Sequence, residues 1–537
     1  MKRLLAAATA AGLVAMGAVA SDARAEPTRS GTGPATTAIT WATCDKPALV
    51  ARKAECGFLT VPLDYTKPTG ATIKLAVSRV RHKTATAEYQ GVMLVNPGGP
   101  GGSGVGLSIL GDFVPNHAGD AYDWIGFDPR GVGASRPALS CDSTYAGYNR
   151  PAYVPGTVAL EKTWLSRAKG YARACKATGG PLLAHLKTTD TVADMDSIRR
   201  ALGAKQINFY GFSYGTYLGQ VYATLHPQQV RRMVLDGNVD PSRVWYGANL
   251  DQDFAFDKNM RTYFGWVAKY DSVYHLGRTG AAVQRLFYAT QAKLAAKPAS
   301  GIIGPDELTD VFLQAGYYVF GWLDVAAAFS AYVKKGDPAK LKALYDKSNT
   351  QQKGSDNGYA IYLAVQCTDV QWPKRWATWR TDNWRVHRAA PFETWGNAWY
   401  NAPCLNWGAR AGVPVAVNGA KAPPILLISE SRDAATPFTG SLELRRRFPR
   451  SVLVEGVAGT THAGSLFGGA CVDGVVAGYL ATGVLPRRVK ANRSDKQCKP
   501  LPQPNPAAAP AAAARRTDPY TERLALQRVI AGQGTIR

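Results

Sequence analysis

The sequence predicts an α/β protein whose mostly parallel central sheet is interrupted by a large, mostly helical insertion. Short apolar stretches end in glycine-rich loops, a pattern typical of strands that are buried on both faces of a parallel sheet. Strand-like and helical stretches then alternate, as they do when helices connect parallel strands. The alternation stops between residues 240 and 406 and resumes afterwards. We therefore expect one sheet with the insertion between two of its strands.

The first strand-like stretches lie before residue 132. Residues 57–65 (GFLTVPLDY) and 73–81 (IKLAVSRVR) are the earliest, and the second alternates apolar and polar residues with a period of two. Residues 91–99 (GVMLVNPGG) and 122–131 (YDWIGFDPRG) are mostly apolar and run into loops of glycine and proline. These four stretches predict the first half of the sheet.

Helices and strands alternate in the next part of the chain. Helices are predicted at about 160–175 and 191–202, and the second has an acidic first turn, later basic residues and a terminating glycine. QINFYG (206–211) is a predicted strand, TYLGQVYATLHP (216–227) a helix that stops at its proline, and RRMVLDG (231–237) another strand. This spacing predicts parallel strands joined by helices.

The whole chain divides into six expected segments. After an insertion rich in aromatic residues and alanine, the strand pattern returns at 423–437 (PPILLISESRDAATP) and 451–464 (SVLVEGVAGTTHAG). The segments are an export signal (1–25), a pro-segment or flexible arm (26–43), the first part of the core (44–240), the helical insertion as a cap (241–406), the second part of the core (407–498) and a Pro/Ala linker and tail (499–537).

The N-terminus has the pattern of a cleavable export signal. Lys2 and Arg3 precede an apolar run, and Ala23-Arg24-Ala25 then provides small residues at the spacing that a signal peptidase needs. No later stretch has the roughly 18 uninterrupted apolar residues of a membrane span. We therefore expect a secreted, extracellular protein without a transmembrane segment. An uncleaved membrane anchor is the alternative, but the N-terminal apolar run is short for a full span.

Eight cysteines agree with export, because an even number in an exported chain indicates disulfide bonds. They form four groups of sequence neighbours, and we predict that neighbours bond: Cys44 with Cys56, Cys141 with Cys175, Cys367 with Cys404 and Cys471 with Cys498. Zinc binding is the alternative, but the chain has no CxxC motif and no close cluster of cysteine and histidine. We therefore expect no metal.

A formal net charge of +24 raises the question of nucleic acid binding. The basic residues are scattered, and RRRF (445–448) and the ARR of the tail are the only dense groups, so no recognition surface for nucleic acid is predicted. A generally cationic surface is the simpler interpretation. In an exported protein, such a surface favours weak association with anionic cell-wall polymers.

Ser213 lies in the string GFSYG (211–215), which has glycines two residues away from the serine on each side. The string follows a predicted strand and precedes a predicted helix, which is the order of a nucleophile elbow. So sharp a turn brings backbone segments too close for Cβ atoms at the glycines, and it raises the serine hydroxyl above the sheet edge. The sequence therefore predicts a nucleophile, with an ordinary turn serine as the alternative.

A nucleophilic serine needs a histidine to take its proton and an acid to orient that histidine. Among seven histidines, His462 follows a late strand and precedes a loop of small residues, which fits the chain order serine, acid, histidine. Asp433 is the predicted acid, because it lies in the exit loop of the preceding strand and Thr436-Pro437 fixes the turn after it. Asp236, after an earlier strand, is the alternative acid.

The oxyanion that forms during acyl transfer needs backbone N–H donors. One is predicted at Tyr214, the residue after the serine. The other is predicted at Gly99 in the loop LVNPGGPGGSG (94–104), with Gly98 as the alternative. Such a loop also suits phosphate, but no GxxxxGK[ST] motif is present, so we expect neither a nucleotide nor another cofactor.

With these residues the sequence resembles the α/β-hydrolase superfamily, and within it the secreted bacterial tripeptidyl aminopeptidases, which are relatives of the proline iminopeptidases. The matching stretches are NPGGPGGSG (96–104), GFDPRGVGAS (126–135), GFSYGTYLG (211–219), LDGNVDP (235–241), CTDVQW (367–372), RDAATPF (432–438) and THAG (461–464). The likeness spans roughly residues 44–498, and the region 407–498 resembles the C-terminal region of that family. It implies an α/β-hydrolase fold with a cap domain over the catalytic sheet.

The resemblance also implies a serine exopeptidase that releases short peptides, in that family tripeptides, from the free N-terminus of peptides and proteins through an acyl-enzyme. A cap would admit chain ends and exclude internal segments. The pocket then needs a carboxylate that pairs with the α-ammonium group away from water. Asp369 and Glu430 are the candidates, with structural ion pairing as the alternative for both. A secreted carboxylesterase or lipase with the same triad is the alternative function.

Overall fold

A computed structural model gives the structure of this chain and describes residues 38–507. The expected export signal (1–25), most of the expected arm (26–43) and most of the Pro/Ala-rich tail lie outside the described residues. Within the described range, no helix is both long enough and apolar enough to cross a membrane.

The described residues form one ten-stranded sheet. The strands are β1 Ala42–Thr43, β2 Glu55–Pro62, β3 Thr72–Val80, β4 Val92–Asn96, β5 Asp123–Phe127, β6 Ile207–Phe212, β7 Val230–Asp236, β8 Leu426–Glu430, β9 Val452–Gly456 and β10 Lys496–Cys498. Their order across the sheet is β1-β2-β3-β5-β4-β6-β7-β8-β9-β10. The pairings from β1 to β5 are antiparallel, and all later ones are parallel. The predicted mostly parallel sheet is therefore confirmed.

Fifteen α-helices accompany the sheet within the described range. They are α1 Pro47–Val50, α2 Val158–Gly179, α3 Thr188–Ala201, α4 Tyr214–Leu225, α5 Tyr246–Lys269, α6 Asp271–Tyr274, α7 Gly280–Ala296, α8 Pro305–Tyr317, α9 Trp322–Lys335, α10 Ala339–Ser348, α11 Asn357–Asp369, α12 Trp376–His387, α13 Thr394–Asn401, α14 Phe438–Arg447 and α15 Ala470–Thr482. Short 3₁₀ helices cover Thr86–Glu88, Val105–Phe113, Pro115–His117, Gly180–His185, Pro227–Gln229, Val319–Gly321 and Ala402–Asn406.

The central strands are buried on both faces, as their apolar composition predicts. In β6, Tyr210 and Phe212 contribute to one apolar cluster, and Ile207 and Phe209 contribute to a second cluster on the other side. Because both faces are covered, nearly every residue of such a strand is apolar. This explains why β6 is recognisable in the sequence as an apolar run, although its apolar and polar residues do not alternate.

The helices α5 to α13 follow β7 and precede β8, where the sequence predicted a helical insertion. Phe256 and Tyr263 of α5 and Phe312 of α8 belong to the same apolar cluster as Met93 and Val95 of β4. The insertion therefore packs on the core of the sheet and is not a separate appendage.

Four disulfide bonds join neighbours along the chain, in the pairing expected from sequence order: Cys44–Cys56, Cys141–Cys175, Cys367–Cys404 and Cys471–Cys498. No free cysteine remains among the described residues. The third bond lies inside the insertion and ties α11 to the turn after α13, and the fourth ties the start of α15 to β10. Each bond therefore fixes a local connection and does not cross the molecule.

Candidate active site

Ser213 occupies the turn between β6 and α4. Its backbone has φ 55° and ψ −127°, a strained conformation for a residue with a Cβ that costs on the order of 1–3 kcal/mol. Its N–H donates to the carbonyl oxygen of Asp236 at 3.0 Å. Tyr214 is the first residue of α4, so the serine lies at the positive end of the helix dipole. Negative charge that develops at Ser213 is favoured there.

Close backbone approaches require the two flanking glycines. A Cβ at Gly211 would lie 2.5 Å from the carbonyl oxygen of Gly215. A Cβ at Gly215 would lie 2.6 Å from the carbonyl oxygen of Asn96. Both obstacles are backbone atoms, which cannot move aside as a flexible side chain can. The G-x-S-x-G string therefore has glycine at these two positions because β4, β6 and α4 are in close backbone contact there.

His462 and Asp433 form a buried pair. Nδ1 of His462 lies 2.8 Å from Oδ2 and 3.0 Å from Oδ1 of Asp433. The carboxylate also accepts hydrogen bonds from the amides of Ala435 and Thr436 and from the Thr436 hydroxyl, at 2.9, 3.0 and 2.8 Å. Because Nδ1 is held by the acid, Nε2 is the ring nitrogen that remains for proton transfer.

Asp236, the alternative acid, has different partners. Its Oδ2 accepts hydrogen bonds from the Ser465 amide at 2.8 Å and from the Ser465 hydroxyl at 2.5 Å. Burial raises the pKa of Asp236 to about 6, against the opposing effect of these bonds. The geometry thus favours Asp433 as the partner of His462. Asp236 instead binds Ser465, in the loop that follows the histidine.

Ser213 and His462 line the same cavity. Across residues 38–507, no hydrogen bond joins the serine hydroxyl to the imidazole. Such bonds are often long in enzymes without substrate and tighten when the substrate binds. The backbone N–H of His462 donates to the carbonyl oxygen of Tyr317 at 2.8 Å. Tyr317 ends α8, so a helix of the insertion fixes the backbone of the histidine.

The glycine loop after β4 lies directly against the elbow. A Cβ at Gly98 would lie 2.5 Å from the Phe212 carbonyl oxygen and 2.8 Å from the Tyr214 amide nitrogen. The Gly98 amide already donates to Oδ1 of Asn96 at 2.9 Å. The amides of Gly99 and Tyr214 have no acceptor among the described residues. Of the two predicted glycine donors, Gly99 therefore has the amide that is available for an oxyanion.

Helices α5, α8, α11 and α13 of the insertion form the wall opposite the elbow. Polar side chains on this wall come from Asn249, Gln252, Tyr362, Gln366, Glu393 and Asn397. None of these residues was singled out from the sequence, because they are spread over about 150 residues of helix without a local motif. Tyr317 and Tyr318 also line the cavity and pack against the His462 ring.

The structure corrects the expectation for the substrate's α-ammonium group, since neither Asp369 nor Glu430 lines the cavity. Asp369 accepts hydrogen bonds from the Thr188 amide and hydroxyl at 2.7 and 2.6 Å, and from the Trp245 indole at 3.1 Å. Burial raises its pKa to about 6. Its oxygens therefore support the structure between α3 and the insertion.

Glu430 lies beneath the loop that carries the histidine. It accepts hydrogen bonds from the amides of Thr461 and Leu501, at 2.5 and 3.2 Å. A Cβ at Gly459 would lie 2.4 Å from its carboxyl carbon. Burial raises the pKa of Glu430 to about 8. This carboxyl group thus supports the residue next to His462 and does not face a substrate.

Comparison with known proteins adds a second line of evidence. Residues 91–468 match the family model described as alpha/beta hydrolase fold, a span that includes the serine, the acid and the histidine. A tripeptidyl aminopeptidase of Streptomyces lividans is 42% identical over 479 residues, which cover 87% of this chain and 88% of that protein.

Two mycobacterial proteins are more distant relatives. Serine protease Hip1 of Mycobacterium tuberculosis is 31% identical over 461 residues, which cover 81% of this chain and 86% of Hip1. Carboxylesterase B of the same organism is 30% identical over 458 residues, covering 81% of this chain and 85% of that protein. The similarity in all three cases extends over most of both chains.

Proposed function

The chain belongs to the alpha/beta hydrolase fold family, and from this premise we propose that it is a serine exopeptidase. It releases short peptides, in the first place tripeptides, from the free N-terminus of peptides and proteins. The observation that carries the proposal is the His462–Asp433 pair in the same cavity as the strained elbow serine. The names of the Streptomyces and Hip1 relatives support peptide bonds as the target.

The proposed reaction is acyl transfer. Nε2 of His462 takes the proton of the Ser213 hydroxyl as its oxygen attacks the peptide carbonyl, and Asp433 stabilises the resulting imidazolium. The amides of Tyr214 and Gly99 bind the oxyanion. The imidazolium then protonates the leaving amine, which departs and leaves the acyl-enzyme. A water molecule, deprotonated by the same histidine, releases the N-terminal fragment and restores the serine.

An exopeptidase must recognise a free α-ammonium group. Three acidic residues line the cavity, and of these Asp240 and Asp251 are only partly buried. Glu393 is 4% exposed and lies on the insertion wall just before α13. A buried carboxylate there attracts an ammonium group that has lost its water. We therefore assign the ammonium group to Glu393.

Two variants test the reaction and the recognition separately. S213A is expected to abolish turnover of a free-amine tripeptide chromogenic substrate without altering the far-UV circular dichroism spectrum. E393Q is expected to raise KM for that substrate by about 10- to 100-fold, because the variant loses the free energy of a hydrogen bond to a charged group. D251N is the matched control and should keep the parental KM. Near-parental turnover by S213A would overturn the proposed mechanism.

A carboxylesterase is the second candidate function, because one relative bears that name. The same triad would hydrolyse an ester, and only the recognition of the acyl group would differ. The two functions are separated by comparing a free-amine tripeptide anilide, its N-acetylated form and a short-chain ester. Strong dependence of kcat/KM on the free amine indicates the peptidase. Preference for the ester, with indifference to acetylation, indicates the esterase.

We also propose an extracellular location. Four disulfide bonds are typical of proteins that fold in an oxidising compartment. The net charge of +24 further favours weak association with the anionic polymers of a cell wall. Fractionation of the producing cells into medium, wall and cytosol, followed by immunoblotting, tests both statements.

A further inference from the structure

Asn259 of α5 joins the insertion to the loop that carries His462. Its side-chain nitrogen donates to the carbonyl oxygen of Gly316 at 2.7 Å and to that of Thr460 at 3.0 Å. Because both neighbours are carbonyl oxygens, the nitrogen of the side-chain amide, and not its oxygen, must face them. Asn259 is 2% exposed and does not line the active-site cavity. It therefore contacts the histidine loop without forming part of the cavity wall.

The close contact between α5 and α8 places Asn259 beside Gly316. Phe256 is followed three and four residues later by Asn259 and Met260, so all three lie on one side of α5. A Cβ at Gly316 would lie 3.0 Å from Cδ1 of Phe256 and 3.5 Å from Sδ of Met260. The glycine thus lets the side of α5 that carries Asn259 approach the backbone of α8.

The last turn of α8 supplies the acceptors for this contact. The final carbonyl groups of an α-helix have no partner within the helix and must find other donors. In α8, the Gly316 carbonyl oxygen accepts from Asn259, and the Tyr317 carbonyl oxygen accepts from the His462 N–H at 2.8 Å. Two successive carbonyl groups at the end of one helix therefore bind the side chain from α5 and the backbone of the histidine.

A third hydrogen bond completes the contact between the insertion and the loop. The Val319 N–H donates to the Thr461 hydroxyl oxygen at 3.3 Å. Thr460, Thr461 and His462 are all buried, so water does not compete for these bonds and the low dielectric strengthens them. Each of three successive loop residues is therefore bonded to the insertion.

The core bonds to the same loop from other elements. Glu430 accepts from the Thr461 N–H, and Asp433 accepts from the His462 ring. Ser213 also belongs to the core, at the end of β6. The backbone of His462, however, is bonded to the insertion. The distance between the serine hydroxyl and the imidazole therefore depends on how firmly the insertion holds the loop, and a misplacement of about 1 Å can lower a rate by about 100-fold.

We propose that Asn259 is a positioning residue for His462. By joining Gly316 to Thr460, it keeps the end of α8 against the histidine loop and holds the imidazole at the distance from Ser213 that proton transfer needs. The inference rests on the proposed function, because only a histidine that transfers a proton needs so closely defined a position. It concerns the histidine and not the recognition of the peptide, since Asn259 lies outside the cavity wall.

Replacement of Asn259 by leucine tests the proposal, because N259L keeps a similar side-chain volume and removes both donors. We expect kcat for a free-amine tripeptide anilide to fall by about 10- to 100-fold, with KM within about twofold of the parental value. Initial rates are measured well below the melting temperature and are expressed per folded enzyme, as judged by circular dichroism. A role in stability alone would lower the melting temperature and leave kcat unchanged.

A second measurement tests the histidine without a peptide. A fluorophosphonate reacts when the Ser213 oxygen forms a bond to phosphorus, fluoride leaves, and His462 accepts the hydroxyl proton. The second-order rate constant of this labelling should fall in N259L by about as much as kcat. If the parental enzyme is labelled but cleaves no peptide, the proposed function fails, and the labelling rates still test the role of Asn259.

N383L is the matched control for the loss of a buried amide from the insertion. Asn383 of α12 is also 2% exposed, and its side-chain nitrogen donates to the Trp379 carbonyl oxygen of its own helix at 2.8 Å. This bond does not involve the histidine loop. N383L should therefore keep the parental kcat and labelling rate, even where it lowers the melting temperature.

Two variants of Thr461 test the same contact from the side of the loop. T461V removes the hydroxyl that accepts from the Val319 N–H, and it should lower kcat with little change in KM. T461S retains a hydroxyl and should restore most of the lost kcat. A parental kcat in T461V would overturn the proposal even if N259L does not fold, because the contact would then not fix the histidine.

Three results with the asparagine variants would also overturn the proposal. Parental kcat and labelling rate in folded N259L would mean that Asn259 only stabilises the fold. A raised KM with unchanged kcat would mean that it acts on the peptide. An equal loss of kcat in N383L would mean that the removal of any buried amide from the insertion has the same effect.

Discussion

The buried carboxylates of Asp433 and Asp236 both lie near His462, and they differ in their hydrogen-bond partners. Asp433 accepts hydrogen bonds from two amides, a hydroxyl and the His462 ring, so both of its carboxylate oxygens are held in place. Asp236 accepts from Ser465, three residues after the histidine. One carboxylate therefore orients the ring, and the other fixes the loop that carries it.

Replacing the orienting acid tests this division. In D433N, an amide group cannot accept at both oxygen positions, and the ring is no longer held with Nε2 ready for the serine. We expect kcat for a tripeptide substrate to fall by about 10³- to 10⁴-fold with little change in KM, as measured by initial rates. D337N, in an exposed loop, is the control. A near-parental kcat for D433N would show that this residue does not orient the histidine.

The Ser465–Asp236 bond should make stability depend on pH. Burial raises the pKa of Asp236 to about 6, and the Ser465 hydroxyl opposes that rise. S465A removes this donor, so the native variant keeps the proton to higher pH than the native parent. The loss of stability should therefore grow as pH rises through 6, and should be about 1 kcal/mol larger at pH 8 than at pH 5.

Urea unfolding of the parent and S465A at the two pH values measures this difference. S166A, at an exposed position of α2, is the control and should change the free energy of unfolding by the same small amount at both pH values. If S465A costs the same free energy at pH 5 and pH 8, the hydroxyl does not stabilise an ionised Asp236.

At the residue scale, the sequence identifies those site residues that a local motif or a chain order marks. Ser213 has its glycines, and His462 and Asp433 follow late strands. Asp369 and Glu430 also lie in marked stretches, but the sequence does not give the direction of their side chains, and both turn toward backbone amides. Glu393 lies in a helical region where nothing local distinguishes a cavity residue from any other.

At the scale of elements, the elbow depends on three backbone segments in contact. β4 ends at Asn96, β6 ends before Ser213, and α4 starts immediately after it. Gly215, in the first turn of α4, has no room for a Cβ beside the Asn96 carbonyl oxygen. The helix cannot move away without changing the position of the serine, because the Ser213 carbonyl oxygen accepts from the Thr216 amide at 2.8 Å.

A pair of glycine substitutions separates this constraint from general helix propensity. G215A should displace the elbow and remove most activity, because the new Cβ would lie 2.6 Å from a backbone oxygen. G478A, within α15, has nothing within 4 Å of the new Cβ. It should keep parental activity and gain about 0.5–1 kcal/mol of stability from helix propensity. Initial rates and thermal unfolding of both variants check these outcomes, and full activity in G215A would contradict the packing argument.

The strands of the sheet differ in how well the sequence predicts them. Strands β4 to β9 are apolar and bounded by turns, so their patterns are visible. β10 has the sequence KQC and three residues, and it forms only because Asp495 and a disulfide bring it to β9. The antiparallel pairing of the first strands likewise depends on tertiary contacts, since a strand's own pattern does not specify the direction of its partner.

For the whole molecule, the insertion determines how the site is reached. Its helices supply one wall of the cavity and hold the histidine through the Tyr317 carbonyl oxygen. The Cys367–Cys404 bond joins two parts of this wall. The sequence predicted a helical insertion but not this wall, because contacts between helices far apart in the chain leave no local pattern.

A wall of this kind predicts cleavage only from a free chain end. An internal segment would have to enter and leave the cavity as a loop, and it would bring no ammonium group to Glu393 on the insertion wall. We expect a linear ten-residue peptide to lose its first three residues, while its N-acetylated and head-to-tail cyclic forms stay intact over the same period. Mass spectrometry of timed samples identifies the products, and S213A excludes a contaminating peptidase. Opening of the cyclic peptide by the wild-type enzyme, but not by S213A, would mean that the insertion admits internal segments. The enzyme would then be an endopeptidase.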